Sequence, residues 1–271
     1  MIGTMVSGSY RETGESGIIS NSWRDHPLLV IFVFCVAAEL TLVLADLTVN
    51  WFRWSNSGAI RRLFNITRED GLASLVAVIQ TLVVAVVTWA IYLLTAHQQA
   101  TRSIRAGWLV LALFFSYMTI DDGAMIHERI GTAFKNANEG INLPSYGWQI
   151  VLAPLFVLMG AFMVWFLWRR GNNVIRRDWL LAAVFCLGAA ILLDFIEGRE
   201  NGYQLLVEET DWSAKTIAHF SKSLEEFLEM LGMTFLLITF LNHLGYLTEK
   251  TEIRVARRKI WLVERHTDGG R

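Results

Sequence analysis

Leu28-Leu-Val-Ile-Phe-Val-Phe-Cys-Val-Ala-Ala-Glu39-Leu-Thr-Leu-Val-Leu-Ala-Asp46-Leu-Thr-Val49 is the stretch whose reading decides the fold. A hydrocarbon layer of about 30 Å is crossed by roughly 20 helical residues at 1.5 Å each, and this run is long enough. It reads as a transmembrane helix, and Glu39 and Asp46 within it mark an interior that is polar in places, because lipid-facing charge is costly.

Five further stretches have the same character: 72–96, 107–125, 148–168, 179–196 and 216–241. The last is the least uniform, with Glu225, Glu226 and Glu229 ahead of a clean apolar run from Met230 to Leu241. The composition agrees, since the 271 residues are 54% hydrophobic, with a mean hydropathy of +0.39 and 11 tryptophans, values of the membrane class. The expected fold is all-α, a polytopic bundle of six transmembrane helices. A polar tail over 1–24 precedes a transmembrane domain over 25–246, and a basic tail covers 247–271. A net charge of −1 gives no reason to expect nucleic acid as a partner. Cys35 and Cys186 sit in apolar runs, so neither a disulfide framework nor a cysteine zinc motif is expected, and there is no nucleotide or flavin motif. The amino end lacks a signal-peptide pattern, so insertion is expected to be signalled by the first helix.

Loop charge sets the orientation. Arg11, Arg24, Arg102, Arg105, Arg169, Arg170, Arg176, Arg177 and the basic tail fall on one side, about twice the number of Lys and Arg on the other. Both termini are therefore expected in the cytoplasm, and the chain in a bacterial inner membrane. Arg53, Arg61, Arg62 and Arg68 in the first external loop go against this rule. The tail suits either the anionic membrane surface or a helix continuing the sixth span.

Six spans in this orientation bring the ionisable residues together. Asp46, Asp121, Asp122, His127, Glu128, Asp194, Glu197, His219, Glu225 and Glu226 share the outer half, with Glu39 and Glu229 nearer the middle. Spans one, three, five and six are expected to line the interior, with two and four facing lipid. Arg129, Arg199 and Lys222 are too few to balance these carboxylates, so either several are protonated or a divalent metal neutralises them. Carboxylates with one or two imidazoles suit zinc, iron or manganese. The candidate ligands are Asp121, Asp122, His127, Glu128, His219, Glu225, Glu226 and Glu229; Glu39, Asp46, Asp194 and Glu197 form a secondary polar site. In a regular helix no pair within 121–128 has chelating spacing, so Gly123 would have to relax the turn or span six complete the site. The plainer reading pairs Glu225 and Glu226 with Lys222 along one helix face and leaves His127 and Glu128 at a helix end.

The form Asp121-Asp122-x4-His127-Glu128-Arg129-Ile130-Gly131, with Glu225-Glu226-Phe-Leu-Glu229-Met-Leu-Gly232, resembles a group of bacterial multi-pass membrane proteins that carry an acidic pair, then His-Glu, then Glu-Glu-x-x-Glu-x-x-Gly. The likeness extends to the polar approach to span two, 64–70. This chain has Asp-Asp where the group has Asp-Glu. The resemblance implies that the acidic positions act as a unit, and it carries no activity. Three functions remain open: a metal-dependent membrane enzyme hydrolysing or oxidising a lipid-like substrate, a proton- or cation-coupled transporter, and a structural or assembly protein. Membrane lipids, and a hydrophobic substrate in the first case, are the expected partners.

Overall fold

The computed structural model describes residues 22–138, 144–170, 175–199 and 202–268, with only the backbone described for 22–25 and 253–268. The polar tail over 1–21 and the side chains of the basic tail beyond 252 lie outside the described residues.

The described residues form helices and no strand: α1 (Ser22–Asp46), which runs into a π-helical turn (Leu47–Trp51), α2 (Gly58–Leu63), α3 (Leu72–His97), α4 (Arg102–Ala124), α5 (Ile126–Ala137), α6 (Gly147–Arg170), α7 (Arg177–Glu197), α8 (Gln204–Glu209) and α9 (Ala214–Asp268). Among the described residues six segments are long and apolar enough to cross a membrane: His26–Trp51, Leu72–His97, Arg102–Ala124, Gly147–Arg170, Arg177–Glu197 and Ala214–Glu252. Helices suit this setting because they satisfy every backbone group within the segment. Asp46 meets His219 and Phe32 meets Phe235, so α1 and α9 run antiparallel and the start of α1 lies beside the later part of α9.

α9 is the central helix, packed against α1, α3 and α7, and half of its most apolar window is buried. The expected division of inner and outer spans needs correction. Span two, expected to face lipid, has 39% of its window buried, whereas span one, expected to line the interior, has 11%. Charge alone misplaced them. The buried residues of α3 are Ala73, Gln80, Thr81, Val84, Ala85, Val87, Thr88, Ile91 and Thr95, mostly small side chains that let helices approach closely. Thr88 and Thr95 return their hydroxyls to the backbone carbonyls of Val84 and Tyr92. Span four is peripheral as expected, with 17% buried.

The half of the bundle nearest the two ends is apolar and tightly packed. Trp108 meets Phe166 and Phe240 edge-on at 5.6 and 5.8 Å and stacks on His243 at 5.0 Å, among buried Leu111, Phe115, Leu167 and Leu180. A side chain at Gly107 would run into the Phe166 ring. α9 continues unbroken for 55 residues, about 82 Å at 1.5 Å each. Of the two arrangements open for the tail, the structure has the continuing helix.

Candidate functional site

The half remote from the two ends is built differently. Its first part is the loop between α2 and α3. Arg62 and Arg68 both close on the carboxylate of Asp70, and Asn65 Oδ1 accepts the Thr67 N–H and hydroxyl at 3.0 and 2.8 Å. Ile66 is buried beneath them, and Gly71 has no room for a side chain against the carbonyl of Asn65 at 2.9 Å. Two of the four loop arginines thus have a role: they fix the loop. The two arginines hold Asp70 well below the usual carboxylate range. Its neighbour Glu69, half-buried, is left to face the interior, where burial and then the charge of Glu128 push its carboxyl above the ordinary value, opposed by Lys222 and His127.

The second part is the junction of α4 and α5. The helix does not relax at Gly123, as the sequence suggested, but breaks two residues later at Met125, which takes a left-handed conformation with φ 52°. Asp121 spans the break. Its Oδ1 accepts the His127 backbone N–H at 2.8 Å, and its Oδ2 lies 3.0 Å from His127 Nδ1. Burial opposes a charge on His127, but the hydrogen bond and charge of Asp121, then Glu128 and Glu69, hold its pKa above the ordinary value. Arg129, counted in the sequence as a counter-charge, donates instead from Nε to the Ala124 carbonyl at 3.0 Å and caps α4. Gly131 meets the start of α6, where an added Cβ would lie 2.6 Å from the Trp148 nitrogen.

The third part is Lys222 on α9. Its Nζ lies 2.6 Å from Glu225 Oε1, 3.6 Å from Glu226 Oε1 and 3.9 Å from Asp194 Oδ1. Glu69, Glu197 and Glu229 are also within its electrostatic reach. Asp194 accepts from Gln149 Nε2 at 2.7 Å, and Glu197 from the Tyr146 hydroxyl at 3.4 Å. One ammonium therefore serves six carboxylates from the loop, α7 and α9. Glu225 is 2% exposed, and its Oε2 has no hydrogen-bond partner. Glu229, one turn further along α9, is exposed and within electrostatic reach of Lys222. Asp122 adjoins this cluster, within electrostatic reach of Glu229 and Glu69, with Thr81 donating to it at 3.3 Å.

Two polar contacts tie α1 to this assembly. At its outer end Asp46 Oδ2 lies 2.9 Å from His219 Nε2, and Asn50 donates to Oδ1 at 2.9 Å. Midway along the first apolar segment Glu39, 1% exposed, accepts on Oε1 from Gln80 Nε2 at 2.9 Å and from the Thr234 hydroxyl at 2.6 Å.

The candidate ligands thus separate into three groups: Asp121 with His127, His219 with Asp46, and Glu225, Glu226 and Glu229 around Lys222, with Asp122 nearby and Glu128 exposed at the rim. Among the described residues no three His, Cys, Asp or Glu side chains converge as ligands of one ion. The pairing of Glu225 and Glu226 with Lys222 is the plainer expectation, and Asp194 joins it. Sequence reasoning missed Glu69 and the central place of Lys222. The signal for Glu69 was an acidic pair beside two arginines, which neutralise one member and leave the other.

A protein-family model described as a domain of unknown function (DUF8692) matches residues 28–244, which includes every part of this site. No curated protein and no solved structure matches the chain.

Proposed function

The chain belongs to the DUF8692 family, and we propose that it is a multi-pass membrane protein that binds a cation in the cluster around Lys222, reached from the face remote from its two ends. The observation that carries this reading is Glu225: a buried carboxylate with one oxygen on Lys222 and the other without a partner, where carboxylates outnumber the single ammonium. A cation between such groups removes repulsion that the protein otherwise relieves only by protonation. The exposure of Glu229 supports access to the cluster. The apolar core nearer the two ends supports access from one side, which disfavours a transport path.

The cation is a divalent metal, zinc, iron or manganese, or an organic ammonium group. A bound metal would supply water or oxygen activation for hydrolysis or oxidation of a lipid-like substrate.

The test is elemental analysis of full-length protein purified in detergent, with thermal melting against added zinc, manganese, iron(II) and an alkylammonium salt. A ligand at a hundred times its Kd stabilises by about 2.7 kcal/mol, and Glu225→Gln is expected to abolish that gain. A shift with a metal assigns the metal reading, and a shift with the ammonium salt alone assigns the organic cation. If no cation co-purifies or shifts the melt, the cluster is a set of interhelical contacts and the structural role takes its place.

A further inference from the structure

The buried middle of the bundle holds a second polar site, made by Glu39 on α1, Gln80 on α3 and Thr234 on α9, which are 1%, 8% and 0% exposed. Its hydrogens can be followed one by one. The Gln80 amide nitrogen carries two; it donates to Glu39 Oε1 at 2.9 Å and to the Thr234 hydroxyl oxygen at 2.5 Å. The single hydroxyl hydrogen of Thr234 goes to Glu39 Oε1 at 2.6 Å. All three are then committed, two of them to the same carboxylate oxygen. Two acceptors are left over, Glu39 Oε2 and Gln80 Oε1, both buried and both without a partner. Buried acceptors left unmatched are destabilising, and a buried carboxylate without a counter-charge is more so. Among the described residues the side chains that bond to Glu39 are these two uncharged ones. The titratable groups that face it are thiols, Cys35 one turn earlier on α1 and Cys186 on α7, and neither supplies a cation.

We infer that Glu39 is a proton-binding site, held as the neutral carboxylic acid with its proton on Oε2. One hydrogen corrects both faults, because it removes the uncompensated charge and turns Oε2 from an acceptor into a donor. Gln80 Oε1, on the amide that already donates to Oε1, is the acceptor for it. Acid and amide are then joined twice, N–H to carbonyl and O–H to carbonyl. A proton fills the site without the several oxygen ligands that a metal ion requires. In this form the three side chains are a neutral clasp that holds α1, only 11% buried over its apolar window, against α3 and α9. The site is distinct from the cluster around Lys222, where the carboxylates share an ammonium.

Infrared difference spectroscopy of the full-length protein in a maltoside detergent, which has no carbonyl of its own, tests the inference. The native spectrum minus that of Glu39→Gln at neutral pH is expected to show one carbonyl stretch of a protonated carboxyl and no carboxylate stretch. In Gln80→Leu the same band is expected to persist at higher frequency, because the acid carbonyl loses a hydrogen bond. Glu39→Gln is neutral and of the same shape, so it is expected to elute and melt close to the native protein. A carboxylate stretch in the difference spectrum, or a Glu39→Gln protein that fails to fold, would show that the charged form is the native one and overturn the inference. Melting that rises in sodium chloride over N-methylglucamine chloride, with the rise lost in Glu39→Gln, would overturn it in favour of a metal ion.

Discussion

Met125 shows how one strained residue creates a site. A non-glycine residue in the left-handed region costs roughly 1–2 kcal/mol, and the break it makes turns His127 back onto Asp121. Met125→Gly is expected to leave the melting temperature unchanged or higher, whereas a β-branched valine there lowers it. His127 also sets a pH dependence. Its pKa is raised in the folded protein, so the stability it contributes is present below the ordinary histidine value and is lost as pH rises through the raised one. Asp121→Asn keeps an oxygen for the His127 N–H but loses the charge, so its deficit against the native protein is expected to be larger at mildly acidic than at alkaline pH. Asp121→Ala loses the helix cap as well, a further cost of about 1 kcal/mol, which persists at alkaline pH. A deficit in Asp121→Asn that does not change with pH would show that the pair is not charged.

At the scale of elements, the loosely packed α1 is the informative case. Its window is 11% buried, and Glu39 joins it to α3 and α9 through Gln80 and Thr234. Interhelical hydrogen bonds in membranes average about 0.6 kcal/mol, so Glu39→Leu, which removes both acceptor contacts, is expected to cost about 1–3 kcal/mol in thermal melts. Glu39→Gln retains a carbonyl that accepts both bonds and is expected to be much milder. Equal effects of the two would mean that the contact contributes shape alone. The loop before α3 is the second case: because Arg62 and Arg68 depress Asp70, its contribution is present at neutral pH and lost as pH falls through the depressed value.

At the scale of the molecule the bundle has two unlike halves, an aromatic core near its two ends and a charged cluster away from them. The cluster is held at some cost, and Glu69 measures part of it. Its raised pKa means that the folded protein binds more protons than the unfolded chain between the ordinary glutamate value and the raised one, so stability falls as pH rises through that window. Glu69→Gln is expected to raise the melting temperature at neutral pH and to have no such effect at acid pH, where the native side chain is already protonated in both states. A gain of the same size at both would remove the charge explanation.

The sequence by itself determined the six helices and the grouping of acidic residues toward one face, because hydrocarbon thickness sets helix length and the alternation of spans sets the depth of each residue. Tertiary structure alone decided which spans are interior, since the small-residue face of α3 packs without any charge to announce it. It also decided the partners of the ionisable groups. Asp121 reaches His127 only through a left-handed residue, Glu69 enters only because two arginines hold the loop, and Lys222 becomes the common counter-charge because α7 and the loop close on α9. Helical spacing governs contacts within one helix, whereas these contacts join different elements and depend on packing in three dimensions.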